Sequence, residues 1–146
     1  AMGQVCANPL KNAATGALTT IQVPDHLDVI ARMACGAQAH FRSTRVAGLA
    51  APSHVVLYGS EATLRFEGGR LMGGRRRDEH LAEIAIPAAE AQSWRVEEEF
   101  IQAVRGLAPV RLTTFEDGVR YMEFTEAVHC SLKTGQTVHL PLDDRW

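Results

Sequence analysis

Four residues of one predicted β-hairpin carry most of the side-chain chemistry in this sequence. His40 and Arg42 alternate along the second strand, and Asp28 and Arg32 take the polar positions of the first. Imidazole, guanidinium and carboxylate groups on one sheet face could bind an anionic or polyhydroxylated substrate. The alternative is an ordinary polar face that meets water or another subunit. The residue types define a candidate site and leave both interpretations open.

The dipeptide Asp25-His26, just before this hairpin, also allows two interpretations. A carboxylate beside an imidazole could act as an acid-base pair. An Asp that follows a proline, here Pro24, more often accepts hydrogen bonds from the backbone of a turn. The turn interpretation is the one we favour.

Several classes of protein are disfavoured by what the sequence lacks. It contains no GxGxxG, GxxxxGK[ST], GxSxG or HExxH motif, and therefore no recognisable nucleotide loop, nucleophile elbow or metal helix. The three cysteines (Cys6, Cys35 and Cys130) are odd in number and have no ligand spacing, so we expect neither a disulfide framework nor a bound metal. A reducing, cytoplasmic setting is the simpler expectation.

Composition and charge point to one globular domain. The 146 residues are 46% hydrophobic and 22% charged, which is enough apolar material for a core, and no uncharged stretch is long and apolar enough to cross a bilayer. The basic triplet Arg75 to Arg77 is followed at once by Asp78 and Glu79, and the net charge is -2. We therefore expect a solvated hairpin tip and neither a nucleic-acid nor a membrane partner.

Strict alternation predicts the hairpin that positions the candidate residues. From Leu27 to Met33 apolar and polar residues alternate, the turn falls at Ala34-Cys35-Gly36, and the return strand runs to Thr44. Further strands are predicted at residues 54–58, 63–67, 70–73 and 81–86. Short connections make the sheet mainly antiparallel, with roughly five or six strands.

Two helices are predicted after the strands. The first begins at an N-cap Ser93 and ends near Gly106. The second runs from about residue 114 to 134, with Thr113 as N-cap, Glu116 completing a capping box and Gly135 closing the helix. Its apolar residues lie on two sides, so it needs apolar partners in two directions. Strands followed by helices predict an α+β fold, an open and mainly antiparallel sheet with the helices packed on one face.

Two stretches of the sequence resemble one family. Val23-Pro24-Asp25-His26 leads into the hairpin, and Tyr58 to Leu64 reads Tyr-Gly-Ser-Glu-Ala-Thr-Leu. The run from Phe115 to Leu140 places Asp117-Gly118 in the first helical turn and Thr134-Gly135 before a short strand that contains Val138. Together these resemble the C-terminal domain of the Gfo/Idh/MocA oxidoreductases, whose fold is dihydrodipicolinate-reductase-like. The family's second motif has a glycine where this chain has Ala62.

The resemblance implies a domain that shapes a substrate pocket and mediates oligomerisation. Family members place a Rossmann domain upstream, which binds NAD or NADP and carries a Glu-Lys-Pro lysine, and they also have a GxHxxD helix. None of these occurs here. We therefore expect residues 17–146 to be the substrate-binding and oligomerisation domain of an oxidoreductase that acts on sugar-like or other hydroxylated substrates. The chain alone should hold no cofactor and be inactive.

The same resemblance places substrate contacts at the end of the second hairpin strand, at Arg42, Thr44 and Arg45. Residues 1–16 are expected to be a tag remnant and a loosely held lead-in, because Ala1 precedes Met2 and the segment lacks periodicity.

A dimer or larger homo-oligomer is expected through the second face of the sheet. The predicted interface residues are Ile30, His40, Val56, Ile84 and Ile86. Two rival functions remain open. One is a non-catalytic binding or scaffold module that uses the open sheet for partner contact. The other is an independent small enzyme, which would need Asp28, His40 and Arg42 to converge in a cavity.

Overall fold

The computed structural model describes residues 1–91 and 93–143 and has an α+β architecture. By its internal contacts the chain divides into two compact units. The first contains Ala1–Gly48 and the segment from Val96 onward, and the second is Leu49–Arg95. Neither helix in the described part of the chain is both long and apolar enough to cross a membrane.

The strands and helices are as follows. The strands are β1 (Met2–Gln4), β2 (Leu10–Lys11), β3 (Leu18–Thr19), β4 (His26–Arg32), β5 (Gln38–Thr44), β6 (His54–Tyr58), β7 (Ala62–Glu67), β8 (Arg70–Arg75) and β9 (Ala82–Ile84). The helices are α1 (Val96–Val104) and α2 (Phe115–Thr134). All strand pairings are antiparallel, in the order β1-β4-β5, β2-β3 and β6-β7-β8-β9.

The predicted hairpin is confirmed as β4 and β5. Val29 pairs with Phe41 and Ile30 with His40, so the apolar and polar faces are those that the alternation predicts. Gly36 has φ 89°, the left-handed conformation that the turn requires and that glycine adopts without strain. Val29 is the most buried residue of the hairpin, with 7% of its surface exposed.

The lead-in differs from the expectation. Residues 2–4 were expected to be loosely held within the segment 1–16, but they form β1, the outer strand beside β4. The Ala1 ammonium donates to Ser131 Oγ at 2.7 Å, and that hydroxyl donates to the Gln136 carbonyl at 2.7 Å. A strand of three residues is too short to show a periodic pattern in the sequence. This segment is ordered because it pairs with β4.

The long helix begins one residue later than predicted. Thr114, not Thr113, is the N-cap: its hydroxyl accepts from the Asp117 N–H at 3.1 Å, and the Asp117 carboxylate accepts from the Thr114 N–H at 3.1 Å. The capping box is therefore formed by Thr114 and Asp117 in place of Thr113 and Glu116. Each predicted residue has a neighbour with the same hydroxyl or carboxylate group, so both pairs can form this cap. Gly135 ends the helix as predicted, with φ 69°.

Only the second half of α2 is packed. Ala127, Cys130 and Ser131 are buried, and the Phe124 ring lies 5.3 Å from that of Phe41, inclined by 59°. The first half stays exposed, and Phe115 has 84% of its surface accessible. The sequence predicted apolar partners on two sides of this helix. In the structure α2 is packed on one side only, and only along its second half. The other helix begins at Val96, later than the N-cap predicted at Ser93.

The second unit is a four-stranded meander with an apolar and a polar face. Directly paired residues share a face, and the apolar face carries Val55, Leu57, Leu64, Phe66, Leu71 and Ile84. Gly73 lies between Leu64 and Ala82, and a Cβ there would come within 2.5 Å of the Ile84 side chain. Glycine at this position lets the apolar side chains close over β8.

Three details of the predicted sheet are wrong. The strands of the described residues form three sheets and not one. No strand forms after α2 up to residue 143, so the predicted strand at Val138 is absent there. The last strand of the meander stops at Ile84, which leaves Ile86 outside the sheet. Periodicity identifies strands, but it does not say which of them hydrogen-bond to each other.

Candidate functional site

Asp28 is the centre of a cluster on the polar face of the hairpin. Its Oδ1 accepts from Arg42 Nε at 2.8 Å and lies 3.0 Å from His40 Nε2, while its Oδ2 lies 3.1 Å from His26 Nε2. The register of the hairpin sets this geometry, because Asp28 pairs directly with Arg42. His26 lies two residues before Asp28 on β4, and His40 lies two residues before Arg42 on β5, so all four side chains are on one face. The predicted grouping of Asp28, His40 and Arg42 on one polar face of the hairpin is confirmed.

The cluster fixes the charge of its central carboxylate. Hydrogen bonding to Arg42 is the largest cause that holds the pKa of Asp28 at about 2, with His40 and His26 also lowering it and partial desolvation opposing them. An ionised carboxylate that already has three partners is poorly suited to take a proton from a substrate. Asp28 instead orients Arg42 and the two imidazoles on an open sheet face.

The pair Asp25-His26 does not act as a unit. The Asp25 carboxylate accepts from the Cys6 N–H at 2.7 Å and the Ala7 N–H at 2.8 Å, and these two bonds are the main reason that its pKa is lowered. His26 points instead to Asp28. The Asp25 carboxylate therefore accepts from backbone N–H groups, as the turn interpretation expected, but these belong to the distant segment at Cys6 and Ala7 and not to its own turn.

The three predicted substrate residues are neighbours with different roles. Arg42 belongs to the Asp28 cluster, and its side chain is exposed beyond the bond from Nε. Thr44 pairs with His26 at the end of β5, and its hydroxyl accepts from the Val46 N–H at 3.4 Å. The Arg45 N–H donates to the Asp25 carbonyl at 2.9 Å, which ties the end of the hairpin to its beginning.

The predicted interface residues of the second unit do not share one face. Ile30 and His40 are paired and exposed on the hairpin of the first unit. In the second unit Val56 pairs with Arg65 on the polar face, whereas Ile84 lies on the apolar face. Grouping Val56 with Ile84 was wrong, because the register of a strand, which alternation alone does not supply, decides which residues of different strands meet.

Sequence reasoning missed a cavity of about 470 Å³ in the second unit. It lies between the β6–β7 turn and the β8–β9 loop, and its lining includes Ser60, Thr63, Arg75, Arg76, Glu79 and His80. Pairing of Ala62 with Arg75 brings the two loops together. The signal was available, since a hairpin turn and the loop two strands away along a meander fall at the same end of a sheet.

The described residues hold no cluster of metal ligands, and the thiol of Cys130 is buried. They contain no group of three or more His, Cys, Asp or Glu side chains placed to hold a metal ion. Cys130 is buried against Glu126, with Sγ 3.6 Å from Oε1, and burial raises the pKa of its thiol. A thiol with a raised pKa is a weak nucleophile near neutral pH.

No protein-family model matches this chain, and no curated protein matches it significantly in sequence.

Proposed function

We propose that the chain is the substrate-binding and oligomerisation domain of an NAD(P)-dependent oxidoreductase of the Gfo/Idh/MocA type, acting on sugar-like or other hydroxylated substrates. The supporting observation is that three of the resembling motifs fall at junctions of the fold. Pro24-Asp25-His26 enters the hairpin, Gly59 to Leu64 spans the β6–β7 turn and the start of β7, and Asp117-Gly118 lies in the first turn of α2. NAD or NADP would be bound by a separate Rossmann domain.

In this proposal Arg42 is the residue that contacts substrate. Asp28 accepts from its Nε, so the guanidinium plane is fixed on the sheet face and the two terminal nitrogens, which have no partner in the described part of the chain, can donate to substrate oxygens. Thr44 and Arg45 would extend the contact along the strand end. A pre-oriented arginine loses less side-chain entropy on binding than a free one.

The reading frame upstream of this sequence tests the proposal. A GxGxxG motif after a strand, followed by Glu-Lys-Pro, is the expected result, and its absence would overturn the oxidoreductase assignment. With such a full-length protein, Arg42→Gln should raise the KM for substrate about tenfold. Arg32→Gln is the matched control, because Arg32 lies on the same strand face without a bond to Asp28.

Oligomerisation is proposed to use the apolar face of the four-stranded sheet, with a second copy of the chain as the occupant. Val55, Leu57, Phe66 and Ile84 are exposed there, and 61% of the Leu57 surface is accessible. Contiguous exposed apolar residues mark interaction surfaces, and a two-fold axis would pair the same face of both copies. The family resemblance, which implies association through an open sheet, favours a second copy over another protein.

Sedimentation of two matched variants tests this contact. Leu57→Asp places a charge on the apolar face and should shift the chain to monomer, whereas Val56→Asp places it on the polar face and should leave association unchanged. Circular dichroism checks that both variants are folded. A wild-type chain that sediments as a monomer at high micromolar concentration contradicts the proposal.

A non-catalytic binding module is the second candidate function. The observation that favours it is the Asp28 cluster, in which the carboxylate is already occupied by three side chains on an exposed face. Under this function the sheet faces would bind a protein partner and no substrate would be turned over. An upstream frame without the two oxidoreductase motifs would favour it.

A further inference from the structure

The cavity of the second unit is lined by two arginines, Arg75 and Arg76. In the described part of the chain, the guanidinium groups of Arg75 and Arg76 form no ion pair or hydrogen bond, although both residues line the cavity. The Asp78 carboxylate is held toward the backbone, where it accepts from the Arg75 N–H at 2.7 Å. Because both residues line one cavity, their guanidinium groups are suited to an oxyanion, to which arginine donates two parallel hydrogen bonds.

The loop that carries the arginines is held by backbone contacts. The Arg76 N–H donates to the Glu61 carbonyl at 2.8 Å and the Asp78 N–H to the Arg75 carbonyl at 3.0 Å. A Cβ at Gly74 would lie 3.2 Å from the His80 carbonyl, so the loop returns close to β8. The side chains therefore project from the end of β8 and the start of a loop whose backbone is held in place, which reduces the entropy lost when a ligand binds.

The remaining lining groups select the rest of the ligand. Ser60 and Thr63 supply hydroxyls, which both donate and accept hydrogen bonds, and Glu79 supplies a carboxylate, which only accepts. A simple anion would meet the Glu79 charge without benefit, whereas a molecule that also carries hydroxyl groups can donate to it. At about 470 Å³ the cavity falls within the range of small-molecule sites.

We infer that this cavity binds a small hydroxylated molecule carrying a phosphate or carboxylate group, with Arg75 and Arg76 holding the oxyanion. The inference does not rest on the oxidoreductase assignment. It concerns a site apart from Arg42, Thr44 and Arg45, and it is tested without any cofactor.

Calorimetry with glycerol 3-phosphate, glycerate and glycerol, in phosphate-free buffer of low ionic strength, tests it. At least one of the two anions should bind while glycerol does not, and the tighter one tells whether the oxyanion is a phosphate or a carboxylate. Arg76→Gln should weaken that binding by about tenfold or more, as expected for one charge-assisted hydrogen-bonding group. Arg77→Gln should change it by less than about twofold, because Arg77 carries the same charge but does not line the cavity.

Three results would overturn the inference. The first is no binding of either anion at about 10 mM, a weak limit for a specific site. The second is an equal loss of affinity in Arg76→Gln and Arg77→Gln, which would mean attraction to the loop charge alone. The third is no loss of affinity in either variant. Circular dichroism of each variant excludes unfolding as the cause of a loss.

Discussion

The two larger sheets of this chain have the same alternating pattern but different surroundings. Both have an apolar and a polar face. In the first unit the apolar face of the hairpin is covered in part, since Val29 is buried and Phe41 contacts Phe124 of α2 while keeping 46% of its surface exposed. In the second unit Val55 and Leu57 lie on an equivalent face and stay exposed. Alternation therefore states which side of a strand is apolar, and a separate element decides whether that side is buried.

Truncating the aromatic contact should give the largest effect. Phe124→Ala removes the ring that packs on Phe41, and because Phe124 is half-buried we expect a loss of about 2 kcal/mol in the free energy of unfolding, below the range for a fully buried ring. Urea unfolding measures it. Phe115→Ala, at the exposed beginning of the same helix, is the control and should change stability by less than about 0.5 kcal/mol. Equal losses would mean that both halves of α2 are packed.

A matched pair of valines tests the comparison itself. Val29→Ala, on the covered face, should cost about 1 to 2 kcal/mol, and Val55→Ala, with 59% of its surface exposed, less than about 0.5 kcal/mol. Thermal or urea unfolding should be run at concentrations too low for self-association. A large effect of Val55→Ala under those conditions would show that the second face is covered within a single chain.

Local signals were predictable from the sequence and pairing between distant segments was not. Gly36 and Gly135 were predicted from the need for a positive φ, and the hairpin from alternation, because both depend on neighbouring residues. β1 was missed, since three residues gain order only by pairing with β4. The shift of the N-cap from Thr113 to Thr114 reflects two nearly equivalent local solutions.

The candidate site divides in the same way. The Asp28 cluster could be predicted because alternation and one short turn determine which residues face each other across a hairpin. The arginine-lined cavity was not predicted, because it lies between two loops that the pairing of β7 and β8 brings together. Val56 and Ile84 were wrongly grouped because the register between β6 and β9 was not known from the sequence. The register across several strands depends on tertiary packing and cannot be predicted from the sequence of any one strand.

The smallest effect on stability is expected from Asp28, on the polar face of the hairpin, as it titrates. Its pKa is lowered to about 2, so the ionised form is favoured by folding. Its contribution to stability is complete above the ordinary Asp pKa of about 4 and is lost as the pH falls through about 2. Because the cluster is exposed and screened by solvent, the titration itself is the better measurement.

Arg42→Gln removes the first cause of the lowered pKa and should move the Asp28 titration upward, toward the ordinary value, in carboxyl-detected NMR. The two histidines remain beside the carboxylate in this variant, so the return should be partial. Arg32→Gln preserves all three partners and should leave the titration where it is. If Arg42→Gln also leaves it unchanged, the imidazoles and not the guanidinium hold the charge of Asp28, and Arg42 is then free of the constraint that would orient it toward a substrate.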